Sequence, residues 1–195
     1  MRPPTAGTMR LDGGHPALDL VNTVYRQVGG PVEADVLTTP GDLVTFARRV
    51  GTAGSATPAS PAALAAALAL RGTLDALLRA RVAGAPPPPA ALAALAEAAR
   101  AALGAAVLTG RGEALAWTWP DGDALTPVHR LAHAGLGLLT DDAELARLHQ
   151  CDACCWLFVD HSRGAGRRWC SMADCGTEAK TRRYVERRRE RRRRT

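Results

Sequence analysis

The stretch that decides the fold lies in the C-terminal quarter of the chain: Cys151-Asp-Ala-Cys154, followed after fifteen residues by Cys170-Ser-Met-Ala-Asp-Cys175. Two close cysteine pairs joined by a short loop allow four thiolates to converge on one tetrahedral ion. Four sulfur ligands leave no open position for water, so such a site is structural. We therefore predict one structural Zn²⁺ held by Cys151, Cys154, Cys170 and Cys175.

The fifth cysteine, Cys155, directly follows Cys154. Adjacent residues rarely bind the same ion, so we expect Cys155 to be a small buried side chain. The alternative, a group of inert core thiols, stays open. However, a region of about 45 residues with few large apolar side chains does not build a stable core alone, and metal binding supplies folding free energy. The apolar residues 156–159 and Trp169 are expected to pack in a small hairpin around the metal.

The remaining chain predicts a mainly α protein. It has 195 residues, 47% of them hydrophobic, but many are alanine and only 4% are aromatic. Alanine favours helices, whereas sheets favour β-branched and aromatic residues. We expect an alanine-rich helical domain over residues 1–148 and a zinc-stabilised module, a β-hairpin with a basic helix, over 149–195.

Apolar periodicity, capping residues and Gly/Pro stops predict the individual elements. Helices are expected over residues 18–24, 40–50, 62–82, 90–103, 126–139 and 140–149. Residues 32–37 are expected to be extended or a loop, and the alternation in residues 115–119 predicts a strand. From Tyr184 onward the chain is expected to be a helix that fades into a disordered arm.

Charge is distributed unevenly along the chain. Residues 163–195 carry thirteen cations against four acids, a net charge of +9, whereas residues 1–162 carry −3. Such asymmetry indicates a polyanionic partner, and arginine suits phosphate and guanine contacts. A solvated tail is the alternative, and a membrane partner is disfavoured because no apolar face accompanies the arginines. The predicted DNA contacts are Arg163, Arg167, Arg168, Lys180, Arg182, Arg183, Arg187 and Arg188.

The N-terminal region suggests a second, weaker site. His15, Asp19 and Asn22 follow a Gly-Gly turn and could line a pocket for a small-molecule effector, although capping of a turn is the simpler interpretation. The sequence contains no targeting signal, and no apolar run approaches the ~20 residues that a membrane-spanning helix needs. We therefore expect a cytoplasmic protein, which would be nucleoid-associated if it binds DNA. No catalytic motif is present, so an enzyme is not expected.

The C-terminal residues resemble the CGNR zinc-finger family. The matching segments are Cys154-Cys-Trp-Leu-Phe-Val-Asp160 and Trp169-Cys-Ser-Met-Ala-Asp-Cys-Gly176, continued by Lys180-Thr-Arg-Arg-Tyr184. The N-terminal part is similar to the partner domain of that family, called ABATE, at Leu18-Asp-Leu-Val-Asn-Thr23 and around Asp42. The resemblance implies a bacterial transcription regulator linked to stress, with zinc in the C-terminal module.

Two departures from the family pattern stand out. Thr177-Glu178 replaces the family's Asn-Arg, which exchanges a cation for an anion beside the metal site. The first cysteine pair is also more closely spaced than is usual in the family. The sequence as a whole predicts a zinc-containing, DNA-binding transcription regulator that could form homo-oligomers. The alternative is a zinc-stabilised module that binds RNA or acidic proteins without sequence-specific regulation.

Overall fold

The computed structural model describes residues 4–164 and 166–194. Helices fill about half of the chain, as predicted for a mainly α protein. The helices are α1 (Pro16–Val21), α2 (Pro40–Arg49), α3 (Pro61–Val82), α4 (Pro89–Gly104), α5 (Thr126–Leu139), α6 (Asp142–Leu145) and α7 (Thr177–Arg194). The strands are β1 (Val24–Arg26), β2 (Val32–Asp35), β3 (Val107–Arg111), β4 (Ala114–Thr118), β5 (Leu148–Gln150) and β6 (Leu157–Val159). A single π-helical turn, Met172–Gly176, precedes α7.

The long helices begin where capping residues and prolines predict. The Ser60 hydroxyl accepts a hydrogen bond from Ala63 N–H, and Pro61 opens α3. Thr39 forms a reciprocal capping box with Asp42 at the start of α2. Such side-chain acceptors satisfy backbone donors that have no partner inside the helix. The observed helices therefore differ from the predicted ones by only a residue or two at these positions.

The core of the helical domain forms where α1, α3 and α5 pack together. Gly135 of α5 allows the closest approach, because a Cβ there would lie 2.7 Å from a methyl group of Leu74 in α3. By length and composition α3 is apolar enough to cross a membrane. In this structure Leu74 and Leu78 of α3 are instead buried in the core, and Arg71 forms an ion pair with Asp35 at 2.7 Å.

Three antiparallel two-stranded sheets accompany the helices in the part of the chain that the structure describes, and they account for most of the errors in the predicted elements. The helix expected to reach residue 24 ends at Val21, because Val24–Arg26 pairs with β2. The helix expected over residues 140–149 ends at Leu145, because Leu148–Gln150 pairs with β6. The predicted strand near residue 115 is β4, and its partner β3 was not predicted. Finally, α7 continues to Arg194 instead of fading, consistent with the high helix propensity of arginine.

The hairpin of β5 and β6 contributes to two cores at once. Leu148, Leu157 and Val159 belong to the core of the helical domain, whereas Phe158 packs with the cysteines and Trp156. Successive side chains of a strand point to opposite faces, so a three-residue strand can join both cores. All three β6 residues are buried as a result.

Candidate metal centre

Four cysteines converge in the C-terminal module. The Sγ atoms of Cys151, Cys154, Cys170 and Cys175 all lie within 4.8 Å of one another. The Cys154–Cys170 and Cys154–Cys175 sulfur distances are 3.6 Å, and the Cys170–Cys175 distance is 3.7 Å. These are the four residues that the spacing predicted as ligands, and the structure brings them together.

The sulfur arrangement fits a tetrahedral zinc ion. With Zn–S bonds of about 2.3 Å, the edges of a ZnS₄ tetrahedron are about 3.8 Å long. The observed distances match that edge and greatly exceed the ~2.05 Å of a disulfide bond. Cys151, Cys170 and Cys175 are buried, and Cys154 is partly buried. Soft donors in a closed, buried set fit one structural zinc ion and leave no position for a substrate.

Each pair of ligands is positioned by its own backbone turn. In the first pair, Cys151 N–H donates to Trp156 C=O at 2.8 Å and closes the loop that carries Cys154. The second pair has wider spacing because its second member, Cys175, lies within the π-helical turn Met172–Gly176, which is closed by Gly176 N–H donating to Ser171 C=O at 2.9 Å. A Cβ at position 176 would lie 3.1 Å from the Met172 sulfur, so Gly176 packs closely under that side chain.

The electrostatics of the four thiols show why they need a cation. Hydrogen bonds from the thiols of Cys154 and Cys170 hold the pKa of Cys151 far below its ordinary value. The same hydrogen bonding to Cys151 raises the pKa of Cys154 and of Cys170, and burial raises the pKa of Cys175. A divalent ion favours the thiolate form of its ligands and so opposes the raised pKa of these three thiols.

Cys155 lies outside the cluster, as expected from its position beside Cys154. Its Sγ lies 3.3 Å from the backbone oxygen of Gln27, and its backbone N–H donates to Arg26 C=O. Gln27 also forms an isolated antiparallel bridge with Cys154. The segment after β1 is thus joined directly to the first cysteine pair.

The predicted DNA contacts divide into three groups. Arg163, Lys180 and Arg187 are exposed. Arg168 pairs with Asp152 at 2.6 Å, and half-buried Arg167 donates to Cys170 C=O and lies 4.5 Å over the Phe158 ring. The side chains of Arg182, Arg183 and Arg188 lie outside the residues that the structure describes. A DNA-contacting role stays a prediction for all eight.

The three residues proposed for an effector pocket have structural partners. His15 caps α1 by accepting from Ala17 N–H, and buried Asp19 accepts from Gly13 N–H at 2.9 Å. Burial raises the pKa of Asp19 to about 6. Asn22 is 1% exposed, and its side-chain amide exchanges two hydrogen bonds with the backbone of Leu157.

An open cleft of about 460 Å³ lies near these residues, lined by Gly14, His161, Arg167 and Cys170 among others. None of His15, Asp19 and Asn22 lines it. An effector role for those three residues stays a prediction.

Sequence reasoning missed the contacts that join the two parts of the chain. The Tyr25 and Trp156 rings meet edge to face at 4.9 Å, and Arg79 of α3 donates to Cys155 C=O at 3.0 Å. Arg10 reaches the second cysteine pair, with its guanidinium 4.0 Å from Cys170 Sγ. No periodicity or motif marks these residues, because their partners lie far away in the sequence.

Comparison with known families agrees with the two regions seen in the structure. Residues 14–142 match ABATE, described as "Putative stress-induced transcription regulator", and residues 147–188 match the CGNR zinc finger. No curated protein matches the chain. The matched families are of regulator and zinc-finger types and not of enzymes. The ABATE match covers more than half of the chain. The chain therefore belongs to the ABATE family, and it carries a C-terminal CGNR zinc finger.

Proposed function

We propose that this protein is a cytoplasmic transcription regulator that binds DNA through α7, with zinc holding the base of that helix in place. The exposure of α7 beyond its first turn is the main support for this function. Ala179 is buried against the module, but every later side chain of α7 that the structure describes is exposed. The helix starts directly after the π-helical turn that carries Cys175, so the metal centre fixes its direction.

The charge and length of α7 suit a nucleic-acid duplex. Ten of its residues are cationic and three are glutamate. Eighteen residues extend about 27 Å, roughly three quarters of one turn of B-DNA. Neighbouring arginines repel one another along this exposed part of the helix, and phosphates would reduce that repulsion. Arginine predominates over lysine, which favours paired hydrogen bonds to phosphate or to the guanine edge.

The first experiment measures how binding depends on salt. Full-length, zinc-loaded protein is titrated into a fluorescently labelled duplex at several salt concentrations. Neutralising Arg187 and Arg189 by substitution to Gln is expected to reduce the slope of log K against log [salt] by nearly two. The control is Arg81→Gln, an exposed cation on α3, which is expected to leave the slope unchanged. Equal slopes for both variants would refute binding through α7.

The second experiment separates a regulator from the alternative interaction module. Genomic fragments bound by the full chain are selected at a stated salt concentration, and their sequences are compared. A shared sequence motif among the fragments supports a regulator. Equal affinity for unrelated duplexes and for RNA contradicts it and favours a module that binds polyanions without sequence specificity.

A further inference from the structure

The N-terminal segment, residues 4–14, lies between α2 and the metal centre. Ala6 and Met9 are each 1% exposed and belong to the core of the helical domain. Arg49, in the last turn of α2, donates to Ala6 C=O at 2.8 Å and to Met9 C=O at 2.7 Å. The segment is therefore held on the helical domain up to the residue that precedes Arg10.

Arg10 extends from this segment to the second cysteine pair. Its Nη1 pairs with the Asp174 carboxylate, within the π-helical turn, and its Nη2 lies 4.0 Å from Cys170 Sγ. Its Nε pairs with Asp12 at 3.2 Å, and the guanidinium lies 5.4 Å from the centre of the Trp156 ring. Two carboxylates and one aromatic face thus orient the cation toward a ligand sulfur.

The charge of a loaded centre explains why a cation belongs there. One Zn²⁺ with four thiolates carries a net charge of −2, and burial makes uncompensated charge costly. Arg167 and Arg168 of the same module direct hydrogen bonds to Cys170 C=O and Asp152. Arg10, by contrast, approaches a ligand sulfur, with its Nη2 4.0 Å from Cys170 Sγ. Charge-assisted contacts of this kind strengthen as the sulfur gains negative charge.

We propose that Arg10 is the outer-sphere cation of the metal centre, and that it couples metal binding to docking of residues 4–14. Arg10 lies before the residues that match either family. Coupling free energy is reciprocal, so a docked segment raises metal affinity by the same factor by which bound metal favours docking. Loss of zinc then loosens a segment of the helical domain as well as the module that binds the ion.

The test uses Co²⁺ as a spectroscopic probe in the full chain. Thiolate-to-cobalt absorption reports loading, and competition with Zn²⁺ gives the zinc affinity. Outer-shell partners typically change metal affinity 10–100-fold, so Arg10→Met is expected to weaken zinc binding within that range. The matched control is Arg168→Met, because Arg168 also pairs with one carboxylate and lies 5.4 Å over a tryptophan ring. Its effect is expected to stay under about threefold, since it lacks a contact with a ligand sulfur.

A second measurement covers the case in which Arg10→Met does not fold. Amide hydrogen exchange of wild-type residues 5–12 is compared with and without metal, taking the amides of α2 as the internal reference. Docking coupled to metal predicts faster exchange in the segment after metal removal, with little change in α2. Equal effects of the two arginine variants on zinc affinity would overturn the proposal, as would unchanged exchange in residues 5–12.

Discussion

Asn22 offers the sharpest test of how the helical domain is joined to the hairpin of the metal module. Its side-chain N–H₂ donates to Leu157 C=O at 2.8 Å, and its side-chain oxygen accepts from Leu157 N–H at 2.9 Å. The amide thus satisfies both backbone groups of one β6 residue. Asn22 and Leu157 are 1% and 0% exposed, so water cannot easily replace either bond.

We expect Asn22→Ala to destabilise the protein by roughly 2–6 kcal/mol. Each of the two buried backbone groups that loses its hydrogen-bond partner costs about 1–3 kcal/mol of folding free energy. A loss of that size is large beside the 5–15 kcal/mol by which typical domains are stable. Urea unfolding of the zinc-loaded protein, followed by circular dichroism, measures the free energy of unfolding.

The control for Asn22→Ala is Arg100→Ala. That substitution removes an exposed ion pair with Glu97 on α4 and is expected to cost at most about 0.5 kcal/mol. A loss below about 1 kcal/mol for Asn22→Ala would refute the reasoning, because it would mean that the Leu157 backbone is not dependent on the amide. Metal content of both variants should remain that of the wild type, since neither residue touches the ligands.

The metal centre, the basic helix and the buried acid can each be tested by substitution. Cys154→Ser should lose the single bound zinc measured by elemental analysis, whereas Cys155→Ser should keep it; equal losses would contradict the ligand assignment. Glu178→Arg should raise affinity for duplex DNA and steepen the dependence of log K on log [salt], both measured by fluorescence anisotropy. Glu178→Gln should give intermediate values. An unchanged salt dependence in Glu178→Arg would show that this position does not contact DNA. Burial raises the pKa of Asp19 to about 6, so the folded state binds its proton more tightly than the unfolded state does. The contribution of Asp19 to stability is therefore fully present below pH ~4 and is lost as the pH rises through about 6. Asp19→Asn should therefore gain up to about 3 kcal/mol over wild type at pH 8 and little at pH 4, and a gain independent of pH would contradict the raised pKa.

Local chemistry allowed the sequence to predict the metal centre and the long helices. The cysteine spacing identifies residues that must come together, and the Ser60-Pro61 pair marks a helix start that depends only on neighbouring backbone groups. These features need no knowledge of the rest of the fold. The four cysteines and α3 were accordingly found close to where the sequence predicted them.

Tertiary pairing explains the parts that the sequence did not predict. Leu148–Gln150 continues an apolar pattern compatible with a helix, and only its pairing with β6 makes it a strand. The sequence places Asn22 near a Gly-Gly turn and gives no sign of its hydrogen-bond partner, Leu157, which is 135 residues away. Arg10 carries no local signal at all, since its contacts depend on how the second cysteine pair lies against the N-terminal segment.

The double role of β6 constrains the order in which this chain can fold during synthesis. The helical domain cannot complete its core until Leu157 and Val159 have left the ribosome, although most of its helices are made long before. Cys170 and Cys175 follow Val159 by 11 and 16 residues. Completion of the helical core is therefore expected shortly before capture of the metal, and a nascent chain stalled before residue 157 should lack both.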